Sequence, residues 1–218
     1  MTVRTTSPEL VATLSELLVR RGMPPIGNRA NDLCVFGVRN TDDSDRFNDV
    51  IGVARRRVTG GPVHLLLNGG TVDPGRAALL DPMNPRGVFR MSAGRKPRIW
   101  TPGFHKGDRR RPALVQVQGS KIQGFRDNDR DTLFEQILAV DDPSGVNLHD
   151  GWTGNRNQPV GHYSHGCWVT QLAFVTEILA CVEEQRLAGM GNVVSAHLFD
   201  LAEDPEAGLF LAAVGMAA

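Results

Sequence analysis

The chain has little cysteine, few aromatic residues and no excess of charge of either sign. Three of its 218 residues are cysteines, at Cys34, Cys167 and Cys181, and no two of them have the CxxC spacing of a zinc ribbon. The odd number also argues against a disulfide framework, so at least one thiol is expected to be free. Lys and Arg number 24, as do Asp and Glu, which gives no overall field toward nucleic acid or an anionic membrane. We therefore expect neither as a partner.

Long hydrophobic runs are missing as well. No apolar stretch approaches the ~18 residues that a membrane helix needs, and the apolar segment at residues 208–218 is too short. Residues 1–22 lack the continuous apolar segment and the cleavage site of a signal peptide. We therefore expect the protein to be made and retained in the cytoplasm, unless phage association or non-classical export delivers it to a cell wall.

Glycine and proline are frequent, with 24 and 13 residues, and they form clusters that separate short apolar runs. This rhythm predicts strands at residues 33–38, 50–58, 63–67, 88–91, 113–117, 121–126 and 193–201. Ser7 and Pro8 predict the start of a helix that ends at Gly22, and a second helix is predicted over residues 168–186. The sequence thus predicts a mixed α/β, mainly β fold, with an N-terminal helical extension over residues 1–31 and one domain over residues 32–218.

The strongest chemical signal lies in residues 146–170. A predicted strand ends in His149 and Asp150, and a loop rich in glycine and asparagine leads to Ser164, His165, Gly166 and Cys167. If Cys167 begins the second helix, the helix N-terminus lowers the pKa of its thiol below the usual ~8.5. A histidine on the preceding strand can accept the thiol proton, and backbone N–H groups around Gly166 can face an oxyanion. The pattern is typical of thiol catalysis.

At these residues the sequence resembles the L,D-transpeptidase (YkuD-like) family, in phage-type or uncharacterised bacterial forms. The family signature is a histidine, then fourteen to seventeen residues, then Ser or Thr followed by His-Gly-Cys. Here fourteen residues separate His149 from Ser164. Residues 85–89 are similar to the Pro-x-Gly-x-Phe turn of such domains, and the resemblance spans about residues 32–186. It implies a β-sandwich or barrel-like sheet with a helix after the cysteine. Val169 stands where the family has Asn or Arg, so no substrate-carboxylate contact is implied there.

The resemblance also implies a role for each residue of the motif. Cys167 would be the nucleophile, His149 the general base, Asp150 or its carbonyl the group that orients the imidazole, His165 and Gly166 the oxyanion pocket, and Ser164 a support for the turn. Four neighbours are expected to contact substrate: Trp152, His162, Tyr163 and Trp168. The implied substrates are peptidoglycan stem peptides, which react through a thioester that an amine or water resolves. No cofactor and no metal is implied.

Other interpretations of the same residues remain open. His149, His162 and His165 offer three ligands for the zinc ion of a peptidoglycan peptidase or amidase. A catalytically silent wall-binding or virion structural module is the other alternative. Residues outside the motif are expected to be structural: Cys34 and Cys181 as buried thiols, His105 as scaffold or pocket wall, and the arginines at 109–111 as ordinary surface.

Overall fold

A computed structural model describes residues 2–40, 45–134, 138–142, 145–155 and 157–216. Within them, the helices are α1 (Pro8–Arg20), α2 (Arg76–Leu80), α3 (Leu172–Gln185) and α4 (Gly208–Ala213). The strands are β1 (Val3–Thr5), β2 (Cys34–Arg39), β3 (Asp49–Arg56), β4 (Val63–Gly70), β5 (Val88–Met91), β6 (Gly94–Phe104), β7 (Pro112–Gln116), β8 (Ile122–Asp127), β9 (Leu138–Asp142), β10 (Leu148–Asp150), β11 (Trp168–Thr170) and β12 (Val194–Asp200). The predicted mixed α/β class, mainly strands, is confirmed.

The strands form one large curled sheet and one small sheet. The large sheet has nine strands in the order β1-β4-β3-β2-β12-β6-β7-β10-β11, and β5, β8 and β9 form the small one. At one edge of the large sheet, the backbone of Val169 in β11 exchanges two hydrogen bonds of 2.8 Å with Thr71, the residue after β4. The sheet therefore curls far enough for β11 to meet the end of β4.

Helices cover both faces of the large sheet. Side chains of β2 alternate between the two faces: Val35 packs in the same core cluster as Phe174 and Ile178 of α3. Phe36 packs on the opposite face with leucines of α1 and with Phe210 of α4. Successive side chains of a strand point to opposite faces, and both faces of β2 are covered. Residues 34–38 of β2 are accordingly all apolar.

The N-terminal segment adds to the same layers. β1 pairs antiparallel with β4 at the edge of the large sheet. α1 begins at Ser7, whose hydroxyl accepts the backbone N–H of Leu10 at 3.4 Å. Its buried leucines, Leu10, Leu14, Leu17 and Leu18, join the core cluster of β2 and α4.

Every strand predicted from the sequence is present, most of them with shifted ends. The short strands β1 and β9 were not predicted, and neither was the long strand β6. This strand contains Pro97 and Pro102, which lower strand propensity. The chain accommodates them with a register shift opposite β12 and a positive φ of 50° at Arg98. The resulting bulge is a tertiary feature that the strand pattern does not carry.

The predicted second helix needs a correction that bears on the site. Residues 168–170 form β11, paired parallel with β10, and α3 begins only at Leu172. Trp168, Val169 and Thr170 are aromatic or β-branched, which favours a strand when a partner strand is available. No helix of the described residues is long and apolar enough to cross a bilayer.

Candidate active site

Two neighbouring strands bring Cys167 beside His149. β10 and β11 run parallel, with Leu148 opposite Trp168 and His149 opposite Val169. Cys167 directly precedes β11, and the backbone N–H of Asn147 points at its Sγ from 3.4 Å. A ring nitrogen of His149 and Sγ of Cys167 lie within 4.8 Å of each other. The two residues that the sequence motif pairs are therefore close in space.

The orientation of the His149 ring follows from one short hydrogen bond. Nδ1 lies 2.6 Å from the backbone oxygen of Asp150. A carbonyl oxygen only accepts, so Nδ1 carries the proton and Nε2 holds the lone pair. The residue is 1 % exposed, and Nε2 has no hydrogen-bond partner among the described residues. His149 therefore presents an unoccupied basic nitrogen inside the protein.

Burial keeps this imidazole uncharged. Burial above all, together with the neighbouring His105, lowers the pKa of His149 to about 3, while the bond to Asp150 acts in the opposite direction. At neutral pH His149 is a neutral base that is free to accept a proton.

The Cys167 thiol differs from its expected state. Cys167 precedes a strand and not a helix, so no helix N-terminus stabilises a thiolate there. Desolvation by burial raises the pKa of Cys167, opposed by the Asn147 N–H and by the charges of Lys106 and Arg111. The expectation of a lowered pKa was wrong, and the resting pair is a neutral thiol beside a neutral imidazole.

The turn before the cysteine is held by Ser164. Its hydroxyl donates to the backbone oxygen of Cys167 at 2.8 Å and accepts the Gly166 N–H at 3.1 Å. The backbone oxygen of Ser164 accepts the Gly75 N–H at 3.0 Å. Ser164 thus stands where a support of the turn is expected. Because the Gly166 N–H is bonded to Ser164, it does not face an oxyanion as the sequence predicted.

Gly166 instead allows close packing. Its φ is +119°, which L side chains rarely adopt, and a Cβ built there would lie 2.1 Å from the backbone oxygen of Phe89 in β5. The turn and the small sheet therefore contact each other through backbone.

A cavity of about 490 Å³ opens beside the pair. Its lining combines backbone of the turns with polar and cationic side chains, namely Met83, Asn84, Gly87, Val88, Phe89, His105, Lys106, Arg111, Arg126, Gly145, Val146, Asn147, His149, Asp150, Gly151, His162, Tyr163, His165, Gly166 and Cys167. Three of these residues are cationic and one, Asp150, is acidic, although the whole chain is neutral. Cationic side chains therefore outnumber acidic ones in the lining of the cavity.

Two of the four residues expected to contact substrate, His162 and Tyr163, lie on this cavity, together with His165 of the expected oxyanion pocket. Tyr163 is 51 % exposed at its wall, and the rings of His162 and His165 stack with centroids 5.7 Å apart. His165 Nδ1 is buried with no hydrogen-bond partner in the described part of the chain. Burial lowers the pKa of His165, as does the neighbouring His162. The pocket wall beside Cys167 is therefore aromatic and polar together.

The two tryptophans expected to contact substrate lie elsewhere, which is a correction. Trp168 is completely buried and packs edge-on against Trp100, with ring centroids 4.9 Å apart. Trp152 is 6 % exposed and stacks on Phe47. Neither side chain lines the cavity, because alternation in β11 and the core around Phe47 direct them inward.

Sequence reasoning missed Arg111. Arg109 and Arg110 are exposed as expected, but Arg111 is partly buried in the cavity wall. Its guanidinium donates to the Asp150 carboxylate at 3.2 Å and to the Asp150 backbone oxygen at 3.1 Å. Arg111 therefore braces the carbonyl that orients His149. An arginine triplet gave no sign that one member turns inward.

His105 was also missed as a site residue. It follows β6 and is 6 % exposed, and its ring lies against that of His149 with centroids 3.8 Å apart. Its Nδ1 lies 3.2 Å from the side-chain nitrogen of Asn147. The sequence cue is the segment His105-Lys106-Gly107, which was noted only as scaffold or pocket wall.

The histidines expected in the zinc alternative do not gather. His162 and His165 form no compact donor group with His149 in the described residues, where the close set is His105, His149 and Cys167, within 4.8 Å. In that set His105 is a poor ligand, since an amide nitrogen occupies its Nδ1 and leaves the proton on Nε2. The hydrogen bonds therefore favour a proton-transfer site over a metal centre.

Cys34 and Cys181 are buried, as expected for structural thiols. Burial raises the pKa of Cys34 to about 12 and also raises that of Cys181. Cys167 is the partly exposed cysteine and the one on the cavity. The chain matches no protein-family model, and no curated protein and no solved structure matches it either.

Proposed function

We propose that this protein is a cysteine-dependent acyltransferase or hydrolase of the L,D-transpeptidase type, acting on peptidoglycan stem peptides. One observation carries the proposal: the partly exposed Cys167 thiol and the unpartnered Nε2 of His149 share one cavity wall. The Asp150 carbonyl supplies the third element, because it fixes the basic nitrogen. The resemblance of the His149-to-Cys167 motif to the family supplies the substrate class.

The neutral pair suits proton transfer during attack. His149 Nε2 takes the thiol proton as Sγ of Cys167 attacks the carbonyl carbon of the third stem residue. The tetrahedral intermediate collapses with cleavage of the C–N bond to the following D-residue. Protonated His149 returns the proton to the departing amine, and a thioester remains on Cys167. An amine or a water molecule then gives its proton to His149 and attacks the thioester. The C–S bond breaks, the acyl group leaves on the amine or water, and His149 returns its proton to the Cys167 thiolate.

The cavity suits a peptide that carries carboxylates. A volume of about 490 Å³ falls within the usual ~300–1,000 Å³ of small-ligand sites. Lys106 is exposed at its edge, where its ammonium lies 3.7 Å from the Met83 sulfur. Stem peptides end in a free carboxylate, and a cationic wall raises their local concentration.

The test is an assay with a stem tetrapeptide. Wild-type protein is expected to release the terminal D-residue or to form a cross-linked dimer. Cys167→Ala is expected to abolish both reactions, whereas Cys181→Ala, which removes a buried thiol of α3, is expected to retain them. Excess chelator is expected to leave the rate unchanged, because no ion supplies the nucleophile. Turnover by Cys167→Ala would overturn the proposal. So would a chelator that removes stoichiometrically bound zinc and activity together.

A further inference from the structure

His105 is tied to the Cys167–His149 pair by its position in the β6–β7 hairpin. Its backbone N–H donates to Arg111 at 2.9 Å, and its backbone oxygen accepts the Asp108 N–H at 3.1 Å. This compact turn holds the imidazole against His149, with ring centroids 3.8 Å apart. Nitrogens of the two rings and Sγ of Cys167 all lie within 4.8 Å of one another.

The hydrogen bonds of Asn147 define the tautomer of His105. The side-chain oxygen of Asn147 accepts the backbone N–H of Gln116 at 3.0 Å, which fixes the orientation of the amide. The amide nitrogen therefore faces Nδ1 of His105, 3.2 Å away. An amide nitrogen only donates, so Nδ1 accepts and the proton of the neutral imidazole is on Nε2. His105 and His149 are thus opposite tautomers stacked side by side.

We propose that His105 stabilises the Cys167 thiolate through its imidazole N–H group while its ring packs against that of His149. The proposal rests on the proposed function, in which His149 takes the proton and Cys167 develops the negative charge. Near the sulfur, one ring nitrogen must accept the thiol proton and another must donate a hydrogen bond to the thiolate. The two rings have opposite tautomers, so His149 accepts the proton and His105 donates the hydrogen bond.

The charges around this group keep His105 neutral. Burial above all, together with the charges of Arg111 and Lys106, lowers the pKa of His105 to about 4, while Asp150 opposes the shift. Among the described residues, the charged or titratable groups that face it are His149 and Asp150 of β10, Lys106 of the turn, Arg111 before β7 and the Cys167 thiol. Because burial also keeps the pKa of His149 near 3, neither ring titrates between pH 5 and 10. A pH profile in that range therefore reports the thiol.

The experiment measures iodoacetamide alkylation of Cys167 against pH, by peptide mapping, in the full chain. His105→Phe keeps an aromatic ring against His149 but has no hydrogen-bond donor. It is expected to raise the midpoint of the alkylation-rate curve against pH by about one unit, so that alkylation at pH 8 is about tenfold slower. His105→Gln retains an amide donor at similar reach and is expected to restore the wild-type midpoint to within a few tenths of a unit. His64→Phe, the same change in β4 away from the cavity, is expected to leave the midpoint unchanged.

A wild-type midpoint in His105→Phe overturns the inference, and so does an equal shift in His105→Phe and His105→Gln. If the Phe variant does not fold, His105→Asn replaces it, because its shorter amide does not reach as far as that of His105→Gln. Equal alkylation midpoints in the Asn and Gln variants would then overturn the inference. The measurement uses no peptide substrate. A shifted midpoint without turnover of any stem peptide would refute the proposed function and leave this inference standing, whereas turnover with unshifted midpoints would do the reverse.

Discussion

Nδ1 of His149 and the backbone oxygen of Asp150 lie 2.6 Å apart, and the Asp150 carboxylate is turned away to Arg111. The group that orients the imidazole is therefore main chain. This carbonyl is present whatever side chain stands at position 150. Substituting His149 therefore removes the base itself, whereas substituting Asp150 removes only the carboxylate that pairs with Arg111.

His149→Ala is expected to slow acylation of Cys167 by roughly 10²–10⁴-fold, the usual effect of a positioned general base. Asp150→Ala is expected to slow it only about threefold to tenfold, since the carbonyl acceptor survives and only the brace from Arg111 is weakened. Single-turnover rates with a stem tetrapeptide check both values. An Asp150→Ala variant as slow as His149→Ala would show that the carboxylate, and not the carbonyl, orients the ring.

The raised pKa of Cys167 predicts the direction of its pH dependence. A thiol with a raised pKa has less thiolate at pH 7 than a free thiol, so alkylation is expected to be slow near neutrality and to rise steeply into the alkaline range. Cys34 and Cys181 are buried and are expected to react far more slowly still in the folded protein. Peptide mapping after limited iodoacetamide treatment measures all three. Rapid labelling of Cys167 that is flat from pH 6 to pH 9 would contradict the neutral resting pair.

Arg111→Gln is expected to lower the acylation rate about tenfold, because the guanidinium bonds to the Asp150 oxygen and carboxylate are lost together. Arg110→Gln is the matched control, since Arg110 is exposed and pairs only with Asp108 among the described contacts. That variant is expected to stay within about twofold of wild type. Equal effects of the two substitutions would mean that Arg111 acts through the general charge of the segment.

Gly166→Ala tests the backbone contact behind the site. The positive φ and the overlap with the Phe89 oxygen together predict a loss of about 2–4 kcal/mol in the free energy of unfolding. Gly60→Ala also has a positive φ, of +73°, but its Cβ would meet no atom within 4 Å, so a loss of about 1 kcal/mol is expected. Denaturant unfolding compares them. Equal losses would show that the turn can move away from β5.

The sequence predicts much of this site because its main signal is local. His149 and Cys167 lie on one motif, and short apolar runs mark β10 and the strands around it. Sequence periodicity does not distinguish a helix from a strand at Trp168, Val169 and Thr170, because pairing with β10 decides between them. The same pairing removes the helix end from Cys167, and burial then raises the thiol pKa that was expected to be lowered.

The residues that sequence reasoning missed come from a distant hairpin. Arg111 lies 38 positions from His149 along the chain, and His105 lies 42 positions from Asn147. Only the order of β6, β7 and β10 in the sheet brings them together, and strand order follows from tertiary packing. Trp168 shows the converse error, since its position next to the cysteine suggested a substrate contact while alternation along β11 directs it into the core.

Intact-protein mass spectrometry detects whether Cys167 forms a thioester with His149 as the base. A carbapenem, whose strained ring carbonyl a thiolate can open, and a stem tetrapeptide are the two acylating ligands. We expect one stable mass increment, mapped to Cys167, that is absent in Cys167→Ser and forms roughly 10²–10⁴-fold more slowly in His149→Ala. An unmodified mass with both ligands, from folded protein whose Cys167 reacts with iodoacetamide, would rule out thioester catalysis at Cys167 and favour a catalytically silent wall-binding module.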